Sequence, residues 1–350
     1  LKPCITARVE ADQFTCLIRK EDLDLEALSG LCEWNFAHDG KMMHILCGCG
    51  IFYVEDKPMS INGMIDRAKI AKRYIKDEYV KPYNIYDTTM KSHYINRAEL
   101  TGELKNGLAQ EQFKVYYQPV IDAKTEKIVS AEALIRWIHP QRGFVSPAVF
   151  IPALEESGHI SELDFYVTKK VFAFEKERYN QGKKIVPVSI NLSWMDFYDE
   201  TMMSWIDQNV GEYQKLGIKS RFEITETSFE AMKQNRNNIL EALQAKGAMT
   251  LLDDFGSGYS SYGVLQDYNF DILKIDMSLV RQIETNPKSR SILKSIIEMA
   301  HELGMKLVAE GAETEEQVAF LKENDCDYIQ GYYYSKPLPE EEFIEFMETH

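Results

Sequence analysis

From Phe113 onward the chain alternates short apolar segments of β type with amphipathic stretches of helical period, and few folds accommodate that order. Strand-like segments fall at 114–121, 128–137, 185–192, 221–225, 249–253, 272–276, 306–309 and 328–333. Helical stretches lie between most of them, as at 290–303, where Ile292, Leu293, Ile296, Ile297 and Met299 line one face. Eight strands with intervening helices over about 240 residues predict an α/β fold, a TIM-like (β/α)8 barrel. One joint is irregular. Only the six residues 122–127 separate the first two strands, too few for a helical crossover. That pair is expected as an antiparallel hairpin in an otherwise parallel barrel.

Barrels of this kind carry their active sites at the C-terminal ends of the strands. The polar residues at those ends are Glu132, Asn191, Glu223 with Glu226, Asp253 with Asp254, Lys274 with Asp276, Glu310 with Glu313, and Gln330. Each interrupts an apolar strand where a purely structural sequence would carry Val or Ile. Taken singly, any of them reads more readily as a satisfied core polar group or a surface residue than as part of a site. Their convergence on one rim points to a site. Asp253-Asp254-Phe255-Gly256-Ser257-Gly258-Tyr259 is the most telling stretch. Adjacent carboxylates repel, so a positive group must sit beside them if both are to stay ionised near neutral pH. A divalent metal pair meets that need, whereas a solvated acidic turn is the bland alternative.

The 350 residues suffice for two domains, or for one barrel with an appendage. A net charge of −15 argues against nucleic acid or anionic membranes as partners, since both require basic patches. No apolar run approaches the ~20 residues of a membrane span, and no signal peptide opens the chain. It begins on Leu1 rather than Met, and so reads as a piece of a longer protein. Five of its six cysteines, Cys4, Cys16, Cys32, Cys47 and Cys49, lie within the first 49 residues. Cys47 and Cys49 near His38 and His44 match no paired zinc spacing. These thiols are expected as small buried residues in a reducing, cytoplasmic setting.

Residues 1–88 read differently from the rest, with strands expected at 4–9, 13–18 and 43–54 and helices at 23–36 and 61–79. A polar stretch over 87–101 looks like a connector that becomes helical at its end. The resulting division is a small α+β region at 1–88, a connector at 89–109 and a barrel at 110–350.

With these residues in hand, the chain resembles the EAL domain family of cyclic di-GMP phosphodiesterases. The naming motif stands as Glu132-Ala133-Leu134-Ile135-Arg136-Trp137, after Tyr117-Gln118-Pro119. Ser189-Ile190-Asn191-Leu192-Ser193, Glu223-Ile224-Thr225-Glu226, Leu273-Lys274-Ile275-Asp276, Val308-Ala309-Glu310-Gly311-Ala312-Glu313 and Gln330-Gly331-Tyr332 follow in order. The resemblance covers about residues 103–350. It implies two ions, Mg²⁺ or Mn²⁺, one held by Glu132, Asn191, Glu223 and Asp253, the other by Asp253, Asp254 and Glu310. It further implies that Lys274 orients or helps deprotonate the attacking water, and that Glu226 tethers the loop 255–261. Arg136 and Gln118 match substrate-contacting positions; Asp276, Glu313 and Gln330 match supporting ones. A homodimer through the barrel is implied as well. Ser257 and Ala312 depart mildly from the family pattern, and neither would carry a ligand atom. Physical chemistry agrees. Oxygen donors without histidine suit Mg²⁺ or Mn²⁺ better than zinc, and such ions let an acidic protein hold an anionic dinucleotide.

The region ahead of the barrel resembles the later half of a degenerate GGDEF domain. Arg8-Val9-Glu10-Ala11-Asp12-Gln13-Phe14 occupies its signature hairpin, with Glu10 and Ala11 in place of glycines and Gln13 in place of an acid. Glycines there would let the backbone approach a nucleotide; side chains should block it. Three functions follow for the whole: a metal-dependent phosphodiesterase linearising cyclic di-GMP to pGpG, a catalytically silent cyclic di-GMP receptor, or an interaction scaffold. Intact metal-ligand positions, Arg136 and Lys274 favour the first.

Overall fold

The computed structural model describes residues 4–10, 13–38, 41–54, 59–75, 81–226, 228, 239–256 and 262–350. The chain divides into two compact units, Leu1–Leu100 and Thr101–His350.

In the first unit, strands Ile5–Glu10 and Gln13–Leu17 form an antiparallel hairpin, whose turn residues Ala11 and Asp12 lie outside the described residues. A helix expected over 23–36 stops sooner, at Leu25–Leu31. Asp24 starts it by accepting hydrogen bonds from the backbone N–H groups of Glu26 and Ala27, at 3.0 and 3.1 Å. The following residues, Glu33–His38, pair antiparallel with Lys41–Leu46, placing Trp34 opposite Ile45. Pairing with a neighbouring strand overrides local helical spacing there. The single strand expected over 43–54 is likewise two. It breaks at Cys47-Gly48, and Cys49–Ile51 joins a separate parallel ladder with Tyr83–Ile85. Nor are the thiols generally buried. Cys32 and Cys326 are, but Cys16 and Cys47 are exposed and Cys4 and Cys49 intermediate, all six being free. Two-stranded hairpins have too few layers to enclose both faces. The second helix, Ile61–Arg73, is shorter than the expected 61–79, of which 76–80 lie outside the described residues.

The expected connector is helical almost from its start, as Thr88–Ala109. Within the second unit this helix brings Gly107 against Phe113, so closely that a Cβ there would come within 2.8 Å of the ring.

The second unit is the barrel. Its strands are β1 (Phe113–Asp122), β2 (Ile128–His139), β3 (Val188–Leu192), β4 (Arg221–Thr225), β5 (Met249–Phe255), β6 (Ile272–Ile275), β7 (Lys306–Glu310) and β8 (Tyr328–Gln330). They pair in sequence order, and β1 closes the ring against β8. β1 runs antiparallel to both β2 and β8, and all other ring pairings are parallel. The β1–β2 turn is pinned by Asp122, whose Oδ1 accepts from Lys124 N and Thr125 N at 3.0 and 2.7 Å. The short 122–127 linker thus gives the hairpin its length implied. Where a crossover helix would otherwise cover β1, the helix Glu340–Thr349 packs instead, stacking buried Phe343 on buried Tyr117 at 4.9 Å.

Inside the ring, side chains alternate with period two. Val120, Leu251, Ile272 and Val308 form an apolar layer. One step of two residues along the same strands lie Gln118, Asp253, Lys274 and Glu310. A strand's pleat thus turns apolar floor into polar roof within about 7 Å.

Candidate active site

Lys274, on β6, is 1% exposed and is the hub of that polar layer. Its Nζ lies 2.6 Å from Glu223 Oε2, 2.6 Å from Glu310 Oε1, 3.0 Å from Asp253 Oδ1 and 3.3 Å from Glu132 Oε2. Four different strands deliver those four carboxylates. Asn191 Nδ2 donates to Glu132 Oε1 at 3.1 Å, and Gln330 Nε2 donates to Glu132 Oε2 at 2.7 Å and to Gln118 Oε1 at 3.2 Å. Gln118 in turn donates to the carbonyl of Ser335 at 3.3 Å.

Asp254 joins this set through an irregularity. Neighbours on a regular strand face opposite sides of the sheet. Here the β5–β6 register shifts between Leu252 and Phe255, and Asp254 adopts the left-handed conformation with φ of 59°. Gly256 follows at φ of 92°, where a Cβ would meet Leu279 Cδ1 at 2.6 Å. As a result one carboxylate oxygen each from Asp253, Asp254 and Glu310 lies within 4.8 Å of the others. A non-glycine residue held there costs about 1–3 kcal/mol, a common feature of functional sites.

The electrostatics show an excess of negative charge. Burial disfavours ionised Glu132, yet Lys274 and the Gln330 and Asn191 hydrogen bonds outweigh it and hold its carboxyl below the usual value. Glu223 goes the other way, pushed up to about 8 by burial and by Glu132 despite Lys274. Asp254 rises to about 6 through burial and Asp253, and Glu310 stands well above the usual range through burial, despite Lys274. Lys274 resists the desolvation that would discharge it, because Asp253, Glu132, Glu223 and Glu310 hold its proton firmly. Five carboxylates around one ammonium leave charge for further cations to balance. Asp253 Oδ1 is buried and, though close to Lys274, makes no hydrogen bond. Every donor is a hard oxygen, so the set fits Mg²⁺ or Mn²⁺.

The other residues singled out in the sequence lie around this centre. Arg136 is half-buried, with Nη1 donating to the carbonyl of the preceding Ile135 at 3.0 Å and its guanidinium 5.8 Å from the Tyr116 ring. Asp276 caps the short helix Met277–Arg281, accepting from Ser278 N at 3.0 Å. Glu313 pairs with Arg281 at 2.7 Å, a partner the sequence did not suggest. Glu226 sits half-buried just past β4, while most of the loop it was expected to tether, residues 257–261, lies outside the described residues.

A buried carboxyl away from this centre supplies a stability test. Glu175, on the helix Ile160–Asn180, is 1% exposed and accepts from Val188 N at 3.0 Å. Burial pushes its carboxyl up to about 8, against the pull of that hydrogen bond and of Arg221. The folded protein therefore holds a proton that the unfolded chain releases above its ordinary carboxylate range. The associated stability is present at low pH and is lost as pH rises towards about 8. Glu175→Gln keeps an oxygen for Val188 and carries no titrating proton. Its melting temperature relative to wild type should rise by several degrees between pH 5 and pH 8; parallel curves would refute this account.

A closed barrel with a ring of carboxylates and a buried lysine at the C-terminal ends of its strands is an enzyme-like metal-site scaffold. Residues 101–337 match the EAL domain, and the chain belongs to that family. It is 35% identical over 247 residues to a probable cyclic di-GMP phosphodiesterase of Escherichia coli, PdeB, covering 71% of this chain and 47% of that protein. It is 28% identical over 355 residues to the cyclic di-GMP phosphodiesterase NbdA of Pseudomonas aeruginosa, covering 99% of this chain and 45% of that one. The chain thus spans less than half the length of either relative. Among solved structures, it is similar to the PaMucR phosphodiesterase in complex with c-di-GMP, with 29% identity and a TM-score of 0.64 over 70% of this chain and 99% of that one. An EAL domain protein from Listeria monocytogenes matches at 30% identity and a TM-score of 0.59, over 71% and 98%.

Proposed function

We propose that the barrel is a two-metal phosphodiesterase that opens cyclic di-GMP to linear pGpG. The observation that carries this reading is the convergence of Glu132, Glu223, Asp253 and Glu310 on Lys274, with Asn191 and Asp254 alongside. Glu132, Asn191, Glu223 and Asp253 would hold one Mg²⁺ or Mn²⁺, and Asp253, Asp254 and Glu310 the other. Such ions supply an acidified water and a counter-charge for the phosphoryl oxygens. Lys274 holds and orients the attacking water, aided by Glu310, while Arg136, Gln118 and Gln330 bind the dinucleotide. Asp276 and Glu313 occupy supporting positions beside that substrate surface. Glu226 acts through the loop 255–261. Hydrolysis adds one water across one of the two phosphodiesters, so the ring opens without losing a nucleotide.

In this reading residues 1–88 are a degenerate GGDEF-like remnant without cyclase activity, joined through 89–109 to the EAL barrel at 110–350. The enzyme works as a homodimer through the barrel, in the cytoplasm. Among the described residues no helix is long and apolar enough to cross a membrane.

The test is turnover. Purified protein should convert cyclic di-GMP to pGpG with Mg²⁺ or Mn²⁺, lose activity in EDTA, and form no cyclic di-GMP from GTP. Tight binding without product under either metal would make it a receptor instead.

A further inference from the structure

Arg136, Lys274 and the carboxylates address phosphates, metals and water, and the amides of Gln118 and Gln330 address polar edges. A dinucleotide substrate also presents two flat purine faces, which charged groups do not recognise. Stacking on aromatic rings is the physical means of holding them.

The loop leaving β3 offers such a ring. Trp194 stands three residues past Asn191, within about 10 Å of it along the chain even if fully extended. It is 38% exposed and meets Tyr198, 51% exposed, edge to face, with centroids 6.0 Å apart and an interplanar angle of 81°. The other tryptophans of this unit are differently placed. Trp137 is fully buried, and Trp205 packs against Phe165 and Phe172. The loop is also rigid by construction. Asp196 is wholly buried, and its Oδ2 accepts from Ser193 N at 2.8 Å. Ser193 Oγ accepts from Met195 N at 3.1 Å, while the Ser193 carbonyl accepts from Asp196 N at 3.1 Å. Tyr198 N donates to the Met195 carbonyl at 3.0 Å. A partly exposed indole is thus carried on a hydrogen-bonded loop at the end of the strand that bears Asn191, with Tyr198 packed against it nearly at right angles.

We propose that Trp194 is a substrate-specificity residue, stacking on one guanine of the cyclic dinucleotide while the phosphates lie over the carboxylate–lysine centre. This rests on the phosphodiesterase reading above. The stack exists equally in ground and transition states, so its loss should raise KM and spare kcat. One base stack corresponds to a change of about tenfold in affinity.

Steady-state kinetics on cyclic di-GMP with Mg²⁺ would compare wild type with Trp194→Ala and Trp194→Phe, alongside Mn²⁺ affinity by calorimetry. Trp194→Ala should raise KM about tenfold with kcat within about threefold of wild type. Trp194→Phe should stay near wild type in KM, and Mn²⁺ affinity should not change. An unaltered KM in Trp194→Ala overturns the inference alone. A joint fall in kcat and Mn²⁺ affinity also overturns it, because Trp194 would then be a structural support of the Asn191 strand end. Wild-type protein that neither binds nor cleaves cyclic di-GMP overturns the phosphodiesterase reading, and this inference with it.

Discussion

Asp253→Ala brings turnover of cyclic di-GMP down by about 10³-fold or more, since losing even one donor that acts in the transition state costs about 10²–10³. Asp253 is the position proposed to bridge both ions, and its Oδ1 already lies within 3.0 Å of Lys274. No neighbour can take its place. Asp254 arrives from the next residue on a backbone already turned left-handed, and Glu310 comes from β7. The variant should also bind Mn²⁺ much more weakly by calorimetry, and raising the metal concentration should leave its rate low. Full rescue by excess Mn²⁺ would remove Asp253 from the ligand set.

Lys274→Ala produces two separable effects. Four carboxylates that now face one ammonium would face none, and an uncompensated buried charge costs about 3–5 kcal/mol. The variant should therefore melt well below wild type in EDTA and recover part of that loss in Mn²⁺. Independently, kcat should fall by about 10² or more, the range for losing a group that orients or transfers a proton. Affinity for the dinucleotide should persist. If KM rose by the same factor as kcat fell, Lys274 would be a substrate clamp rather than a partner of the attacking water.

The barrel and its polar layer were legible because they obey short periods. Glu132, Glu223, Asp253, Lys274 and Glu310 each interrupt an apolar strand, and period-two alternation then places them on one interior face. The hairpin at 122–127 was legible from length alone, since no helix fits there. What failed lies in the first unit, where Trp34 and its neighbours carry helical spacing but pair with the strand holding Ile45. Local pattern cannot register a partner that lies further along the chain. The conformation of Asp254 was hidden for a similar reason, because it depends on a register shift against β6 rather than on its own side chain. Glu313 gave no sign of Arg281, and Trp194 none of its exposure, since both depend on how loops from different strands come to rest.

The antiparallel β1 has a consequence for how the chain becomes a barrel in time. Its partners are β2, made immediately after it, and β8, made some two hundred residues later on the same ribosome. Until β8 and the helix carrying Phe343 emerge, β1 presents one open hydrogen-bonding edge, and Tyr117 has Phe174 but not Phe343 packed on its ring. Such an edge invites pairing with other chains. The seam of the barrel therefore cannot close before Tyr328–Gln330 is made, and a chain ending short of Tyr328 lacks the strand that pairs with that edge. The catalytic ring shares that fate: Gln330, which positions Glu132, belongs to the strand that arrives last.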